Sequence, residues 1–442
     1  MPSLALACRL SAVSRASRRP FSPASLFSSG EQGVWYDPSD LSTLFQDAAG
    51  TIPVTAVEKP VGLMLDKSGR GNHATQSTTA SRPVLSARYN LLTKTEQFDD
   101  AVWGKNAVDI TANAVVAPDG TLTGDKLIEN TTLGHHRIYY YNFVSQPPSV
   151  ISIYAKAAER NLLAVSSWQS QRAVFDLANG VVSFGNGTIE PAPNGWYKCT
   201  YNVGPTNSLQ PIFSLATSFD YTPSDAGGTQ SYQGDGHSGL YIWGADLRVA
   251  NDGVGLPAYQ RVNTATDYDY AGFAPADVFD GVDDHEITAA GGGSTTAFFW
   301  CSSIRVGKVG AVQTLFSDTG TNTGYRVRIN ANQLELAAGN GSAYTTATTS
   351  DTLALGQRAV LTAWHDGTNL NVQINNGTVV QSAFATATAG TAQITIGKDN
   401  NAASSFFMGR LYEKVYLKDT VLSAANIAAT KSFCAQKAKV TL

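Results

Sequence analysis

The chain has 442 residues, which is enough for two or three domains. Charged residues make up 15% of it, and 31 basic against 35 acidic residues leave a net charge of −4. This balance gives no field that would attract nucleic acid, and no stretch approaches the ~20 apolar residues that span a membrane. Forty glycines and 10% aromatic residues instead favour an all-β protein with many turns.

Residues 1–30 form a basic, serine-rich segment with no acidic residue before Glu31. Its arginines are Arg9, Arg15, Arg18 and Arg19, and its last large apolar residues are Phe21, Leu26 and Phe27. Two interpretations fit: a mitochondrial transit peptide, or an arm that docks on a partner. For the arm we predict an extended course around its prolines, charged contacts from the arginines and apolar anchoring by the other three residues.

The next two segments both read as β structure. In residues 31–87, Val34–Asp37 fits a strand and Asp66–Ala74 fits a loop. In residues 88–262, Arg137–Phe143 and Val150–Lys156 alternate as strands, and Gly239–Leu247 closes the segment. The stretch from Asn251 to Ala271 is typical of a linker.

Residues 263–442 contain the strongest hairpin signal. Apolar and polar residues alternate over Ala359–Ile374 around a turn at His365–Thr368. Further strands around Ile394 and Leu411 predict a meander with one buried face, as in a two-sheet sandwich. Ser423 fits the N-cap of a helix over Ala424–Ala435.

These C-terminal motifs, WHDGTNLNVQINNG, ITIG, GRLYEKVYL and LSAANI, resemble the closing part of concanavalin A-like, laminin-G-like sandwiches. The motifs WYDPSD and DKSGRGNHA near the N-terminus resemble the opening of the same domains. The landmark that follows there, FDGVDD, stands far downstream at Phe279–Asp284. The resemblance implies one sandwich split into residues 31–87 and 263–442, with residues 88–262 inserted.

The inserted segment carries NLL, DKL, SIYAK, GWYK and YIWGADL in this order. This order resembles the carbohydrate-binding-module-type jelly roll common in phage virion proteins. Such jelly rolls bind sugars through exposed aromatic rings, and the candidates are Trp103, Tyr139, Tyr141, Trp168 and Trp243. Core packing is the alternative for each of them. Tyr139 and Tyr141 share one strand face and Ile138 and Tyr140 the other, so one of these faces should be core.

Sites for catalysis and metal binding have little support. A retaining glycosidase needs two carboxyl groups about 5 Å apart, whereas Glu335 and Glu413 each stand alone on the C-terminal strands. Asp280–Asp284, or Asp66 with Asn72, could hold calcium, but we favour the explanation that these aspartates form turns and strand caps. We therefore predict no cofactor, no metal and no enzymatic activity. The cysteines lack metal-ligand spacing and are predicted to fill apolar space: Cys8, Cys199, Cys301 and Cys434.

The resemblance implies a non-enzymatic structural protein of a phage virion, assembled in the host cytoplasm. It would be a decoration, head-fibre or tail-associated adhesion protein, attached to other virion proteins by the N-terminal arm. It would occur as a homo-oligomer or in repeated copies, and it would bind host-surface glycans. Two alternatives remain open: a secreted or surface carbohydrate-binding protein, which needs an export signal, and a glycoside hydrolase, which needs a carboxylate pair.

Overall fold

The computed structural model of the chain describes residues 20–141, 148–168, 171–204, 209–225, 227–400 and 404–442. Within these ranges the chain forms two β-sandwiches, one inserted into the other, and a C-terminal helix. This confirms the predicted fold class. No helix in the described ranges is long and apolar enough to cross a membrane.

The outer sandwich takes its strands from both ends of the chain. The first group is β1 (Gln32–Tyr36), β2 (Leu44–Phe45), β3 (Lys59–Pro60), β4 (Leu63–Met64), β5 (Ala74–Thr75) and β6 (Val84–Ser86).

The inner sandwich follows. Its strands are β7 (Trp103–Asn106), β8 (Val108–Val115), β9 (Gly124–Glu129), β10 (Leu133–His135), β11 (Arg137–Tyr140), β12 (Ser149–Ala157), β13 (Leu162–Ser166), β14 (Arg172–Asp176), β15 (Val181–Phe184), β16 (Gly187–Ala192), β17 (Trp196–Val203), β18 (Ile212–Ala216), β19 (Ser231–Gln233) and β20 (Gly239–Val249).

The chain then returns to the outer sandwich through a linker with two short strands, β21 (Val262–Thr264) and β22 (Asp267–Tyr268). The second outer group is β23 (Ala276–Asp280), β24 (Glu286–Thr288), β25 (Phe298–Val306), β26 (Gln313–Ser317), β27 (Thr323–Asn330), β28 (Gln333–Asn340), β29 (Tyr344–Thr348), β30 (Arg358–His365), β31 (Asn369–Ile374), β32 (Val380–Ala383), β33 (Thr395–Ile396) and β34 (Met408–Lys418), followed by α1 (Ala424–Ala438).

Both outer sheets mix strands from the two groups. Outer sheet 1 has the order β3-β6-β23-β34-β25-β30-β31-β32, with β1 also paired to β34. Outer sheet 2 has the order β2-β4-β5-β24-β33-β26-β27-β28-β29. The seams between the groups are antiparallel: Ser86 pairs with Ala276, Trp35 with Val415 and Thr75 with Ile287. Neither sheet is therefore complete without residues 32–86.

The inner sandwich is built from two sheets of its own. Inner sheet 1 has the order β15-β14-β13-β18-β11-β7, and inner sheet 2 has the order β16-β17-β12-β20-β9-β8. Alternate residues of both sheets point between them into a separate apolar core that includes Ile138, Ile153, Phe175 and Leu240. The inner sandwich thus has its own core, distinct from that of the outer one.

The C-terminal helix covers the outer face of outer sheet 1. Leu361 and Ala363 of β30 point into the sandwich core, whereas Val360 and Trp364 meet the helix side. The prediction of a single buried face is therefore wrong for this strand, because the helix buries the second face as well. Ser423 caps the helix as predicted, its Oγ accepting from the backbone N–H of Asn426 at 3.2 Å.

The end of the N-terminal arm packs under the same helix. Pro23–Phe27 forms a 3₁₀ turn instead of the predicted extended segment, since the carbonyl of Ser22 accepts from the N–H of Ser25 at 3.0 Å. Leu26 and Phe27 are buried, and the ring of Phe21 lies edge-on to Phe433 of α1 at 6.3 Å. The three apolar residues that we predicted to anchor a partner thus contact the chain's own fold. Arg9, Arg15, Arg18 and Arg19 lie outside the described residues.

A buried group of three charges joins the two sheets of the outer sandwich, because Asp277 and Lys414 lie in outer sheet 1 and Glu286 lies in outer sheet 2. Lys414 Nζ lies 2.6 Å from Asp277 Oδ2 and 2.8 Å from Glu286 Oε2, and all three side chains are buried. The other oxygen of each carboxylate has no hydrogen-bond donor among the described residues. Burial raises the pKa of Asp277 to about 7, although the ammonium of Lys414 opposes this. One ammonium therefore compensates two buried carboxyl groups.

Three cysteines lie in the described ranges, and all are free and buried. Cys199 belongs to the inner core, and burial raises the pKa of its thiol. Cys301 and Cys434 pack between outer sheet 1 and α1, with their sulfurs 3.7 Å apart. They occupy apolar space, as predicted. Cys8 lies outside the described residues.

Candidate functional site

A bulge in β20 determines which side chains inner sheet 2 presents on its outer face. Ser152 of β12 pairs with Asp246, but Tyr154, two residues on, pairs with Trp243. The extra residue in β20 is accommodated at Gly244, whose φ of 65° is in the left-handed region. In a regular strand, residues three positions apart point to opposite faces of the sheet. The bulge shifts this alternation by one residue, so Trp243 and Asp246 both face away from the core.

The linker back to the outer sandwich folds over this face. Arg248 donates two hydrogen bonds to Asp246, at 2.8 and 2.6 Å, and a third to the carbonyl of Pro257 at 3.0 Å. The N–H of Gln260 donates to Asp246 at 3.1 Å. These bonds fix Pro257–Gln260 against the sheet, so the linker becomes one wall of a depression.

The bend of the chain at the junction is held by buried amides. The side-chain oxygen of Gln260 accepts from the N–H groups of Tyr89 and Asn90, at 2.7 and 3.0 Å. The Asn90 side chain in turn donates to the carbonyls of Ala245 and Gln260, both at 2.9 Å. The incoming and outgoing chains are therefore tied to each other beside β20.

The depression is a cleft of about 570 Å³ between inner sheet 2 and the linker. Its aromatic lining comes from Trp243, Tyr259, Tyr268, Tyr270 and Phe273. Its charged lining comes from Glu96, Asp119, Arg261 and Asp269. A second pocket of about 340 Å³ lies across Trp243 and Tyr259 and includes Tyr154, Glu190 and Lys198. We call the larger depression the aromatic cleft.

The aromatic rings of the cleft form a packed group. The ring centres of Trp243 and Tyr259 are 4.8 Å apart, and Tyr154 lies edge-on to Trp243 at 5.3 Å. The indole N–H of Trp243 donates to Thr123 Oγ1 at 2.9 Å. Because Trp243 is only 4% exposed, it supports the cleft, whereas Tyr270, at 54%, presents a free ring.

One carboxyl group in the cleft has an unusual acidity. Glu96 accepts a hydrogen bond from the hydroxyl of Tyr259 at 2.9 Å. Burial raises the pKa of Glu96 to about 7, so it is partly protonated near neutral pH. Arg261 does not pair with it, because both of its donated bonds, at 3.1 and 2.6 Å, go to Asp269.

This arrangement suits binding of an amphipathic small molecule. Aromatic rings offer apolar area to the faces of a sugar ring, and carboxyl, hydroxyl and guanidinium groups at the rim can bond its hydroxyls. The volume is within the range of small-ligand sites.

The structure divides the five predicted sugar-binding residues among three places. Trp103 is buried in the inner core, because its ring packs between Phe98 and Tyr140, so it cannot contact a ligand. Tyr139 and Tyr141 lie on the outer face of inner sheet 1 with ring centres 6.2 Å apart. Trp168 is exposed near the same sheet, with Arg137 over its ring at 5.8 Å. Trp243 alone of the five lines the aromatic cleft.

The carboxylates that the sequence offered for catalysis or metal binding accept hydrogen bonds from other groups of the fold. Glu413 is buried and accepts from the indole N–H of Trp35. Glu335 accepts from Arg328 at 2.6 Å. Asp66 accepts from three backbone N–H groups, those of Trp35, Ser68 and Asn72. Each of these carboxylates thus serves the local fold.

Asp280, Asp283 and Asp284 lie close enough together to hold a cation, but each also has a structural partner. Asp280 Oδ1 accepts from the N–H of Val282 at 2.8 Å, as an aspartate that caps a turn does. Ser81 donates to Asp283 at 2.8 Å, and the N–H of Asp280 to Asp284 at 2.9 Å. The turn interpretation accounts for all three carboxylates.

Sequence reasoning missed most of the cleft. Tyr259, Tyr268, Tyr270 and Phe273 lie in or just after the stretch that we predicted as a linker, and Glu96 lies in a loop. The available signal was the aromatic content of that linker, since four aromatic residues within fifteen positions exceed what a polar connection needs.

Comparison with models of known protein families found no match, and comparison with curated proteins found none either. Among solved structures, the chain is similar to domains LG4-5 of the mouse laminin alpha1 chain, at 13% identity and a TM-score of 0.29, covering 72% of this chain and 98% of that one.

Two further similar structures cover a smaller share of this chain. One is the native heptameric SAP-like pentraxin from Limulus polyphemus, at 15% identity and a TM-score of 0.29, covering 34% of this chain and 78% of that one. The other is the receptor binding domain of botulinum neurotoxin D, at 13% identity and a TM-score of 0.29, covering 35% and 42%. With values this low, the similarities carry no conclusion about ligand, partner or activity.

Proposed function

We propose that this chain is a non-enzymatic glycan-binding protein whose inner sandwich holds a sugar in the aromatic cleft. The observation that carries the proposal is the cleft itself. It is a concave site of about 570 Å³ in which Tyr259 and Tyr270 offer ring faces beside polar groups at the rim, and the nearly buried Trp243 supports them. Sites of this composition suit molecules that have both apolar faces and hydroxyl edges.

We propose further that the protein is a structural component of a phage virion that displays this cleft toward host-surface glycans. The order of motifs in residues 88–262, which resembles jelly rolls of phage virion proteins, supports this part. The basic residues 1–19 would connect the sandwiches to other virion proteins, because their arginines are always charged and suit carboxylates on a partner.

Replacing Tyr270 with alanine should weaken glycan binding by about 5- to 30-fold, equivalent to ~1–2 kcal/mol, because an exposed ring in the binding site is lost. Titration calorimetry with a glycan selected from an array would measure this. The fold should be unaffected, since Tyr270 is 54% exposed.

Tyr141→Ala is the matched control. Tyr141 is 55% exposed, but it lies on the opposite face of the inner sandwich, where Tyr139, Tyr141 and Trp168 were predicted to bind sugar. If Tyr141→Ala abolishes binding and Tyr270→Ala does not, the ligand binds at inner sheet 1 and the aromatic cleft is not the site.

Deleting residues 2–19 should abolish incorporation into particles while leaving the thermal unfolding of the protein unchanged. The deletion ends before Phe21, because Phe21, Leu26 and Phe27 pack on the outer sandwich and their removal would destabilise it. Particles assembled with the truncated protein can be compared by quantitative immunoblot. Normal occupancy of the truncated protein would exclude the segment as the attachment.

A further inference from the structure

Some charged groups of the aromatic cleft form ion pairs and others do not. Arg261 is neutralised by its two bonds to Asp269. Glu96 and Asp119 also line the cleft, and neither forms an ion pair within the described part of the chain. Within the described ranges, Glu96 accepts a hydrogen bond from the Tyr259 hydroxyl alone, and Asp119 accepts from the N–H and hydroxyl of Thr121. The cleft therefore presents two carboxyl groups without a cation.

Acidic groups continue beyond Glu96. An adjoining pocket of about 380 Å³ shares Glu96 and Arg261 with the cleft and is also lined by Asp99 and Asp125. On the other side, Lys198 lies past Trp243 in the second pocket, together with Glu190. The charge facing the cleft itself is thus negative on balance.

The rings of the cleft favour the same kind of ligand. The face of an aromatic ring carries negative charge density and attracts a cation placed over it, most strongly for tryptophan and then tyrosine. Tyr259 and Tyr270, supported by Trp243, line the same cleft as the two carboxyl groups. Aromatic faces and carboxyl groups together are complementary to an ammonium group attached to an apolar body.

We propose that the cleft selects a sugar that carries a cationic amino group over the same sugar in its neutral, N-acetylated form. This rests on the proposed glycan-binding function and adds the class of glycan. Acetylation removes the positive charge while leaving the sugar ring to contact the aromatic side chains. The selection therefore arises at Glu96 and Asp119, and the remaining affinity arises at the rings.

The test compares glucosamine oligomers with N-acetylglucosamine oligomers of equal length, by calorimetry on the full chain at pH 7. The expected result is about 5- to 10-fold tighter binding of the amino form, as one charge near a partly solvated carboxylate provides. Combining Glu96→Gln with Asp119→Asn should reduce this preference to less than 2-fold, because the amino oligomer loses more affinity than the acetylated one. Glu159→Gln removes an exposed carboxylate that pairs with Lys126 outside the cleft, and it should change nothing.

A pH series tests whether the ionised carboxylate of Glu96 attracts the cationic ligand or whether Glu96 only supports the fold of the cleft. The probe is an N,N,N-trimethylglucosamine oligomer, whose charge does not change with pH. Its affinity should rise between pH 6 and pH 8 as Glu96, with its pKa of about 7, loses its proton among the neighbouring Tyr259, Asp119, Asp269 and Arg261. In Glu96→Gln this rise should disappear.

Equal affinity for the amino and acetylated oligomers would overturn the selectivity and leave the glycan-binding proposal intact. Failure of the full chain to bind either oligomer or any other glycan would overturn both. A preference that persists in the double variant would mean that other groups provide it, which also contradicts the assignment. Thermal unfolding of each variant shows whether the fold is preserved.

Discussion

Replacing Lys414 with methionine should lower the free energy of unfolding by ~3–5 kcal/mol at pH 8, because the substitution leaves two buried carboxyl groups without their cation. Lys414 is within 2.8 Å of both Asp277 and Glu286, and each carboxylate already has one oxygen without a donor. Water cannot replace the ammonium readily at a site with this little exposure. Urea denaturation followed by tryptophan fluorescence would measure the loss.

The loss should depend on pH in a defined direction. Burial raises the pKa of Asp277 from 3.8 to about 7, so the folded chain keeps a proton that the unfolded chain releases. Its contribution to the free energy of unfolding therefore falls as the pH rises through this interval. Without Lys414 the pKa should rise further, and the variant should recover part of its stability at pH 5.

Two further variants check the cause. Changing all three residues to apolar ones (Asp277→Leu, Glu286→Met and Lys414→Met) should restore stability to within ~1 kcal/mol of the original, since no charge is then buried. Lys59→Met, at an exposed lysine of strand β3, should cost less than ~0.5 kcal/mol. A loss below ~1 kcal/mol for Lys414→Met alone would contradict the buried-charge explanation.

Residues 263–442 on their own should not fold, although they contain most of the laminin-G-like motifs. They would lack three strands of each nine-stranded outer sheet. They would also lack core residues from these strands, among them Tyr36, Leu44, Met64 and Leu85. Each large apolar side chain removed from a core costs ~2–5 kcal/mol, so the sum exceeds the ~5–15 kcal/mol that stabilises a whole domain.

Residues 88–262 should instead unfold cooperatively as a separate fragment, because their core is formed within the segment. The outer sandwich should also fold if a short Gly/Ser bridge replaces the insert, since Ser86 and Ala276 are paired neighbours. Circular dichroism melting of the three fragments would test this. A cooperative transition in residues 263–442 alone would mean that the second strand group is an independent domain.

Local features of the fold could be predicted from the sequence because local chemistry determines them. The hairpin of β30 and β31 follows from its alternation and from Asp366, which accepts from the N–H groups of Thr368 and Asn369 at 2.9 and 2.8 Å. The split of the outer sandwich followed from motifs that lie in a fixed order. The hairpin depends on residues that are close together in the chain, and the split was inferred from the order of motifs that resemble a known family.

The candidate site could not be predicted in the same way, because it is formed by segments distant in sequence. Alternation could not show which aromatic face of β11 is core, since both faces carry large rings. It also could not show that Trp243 and Asp246 share a face, because that depends on the bulge at Gly244. The cleft exists only once the linker folds onto inner sheet 2, and that contact depends on the hydrogen bonds from Arg248 to the carbonyl of Pro257 and from the N–H of Gln260 to Asp246.

The junction between the sandwiches has a mechanical consequence. The chain leaves the outer sandwich at the end of β6 and returns at the start of β23. These two strands are antiparallel neighbours in outer sheet 1, so the exit and the entry lie side by side. A pull on the inner sandwich would therefore act along both strands at once. Their ladder bonds run perpendicular to the strands, so the bonds that join β23 to β34 would be sheared together instead of opened one by one. A tether of this kind would resist traction better than a single terminal linker.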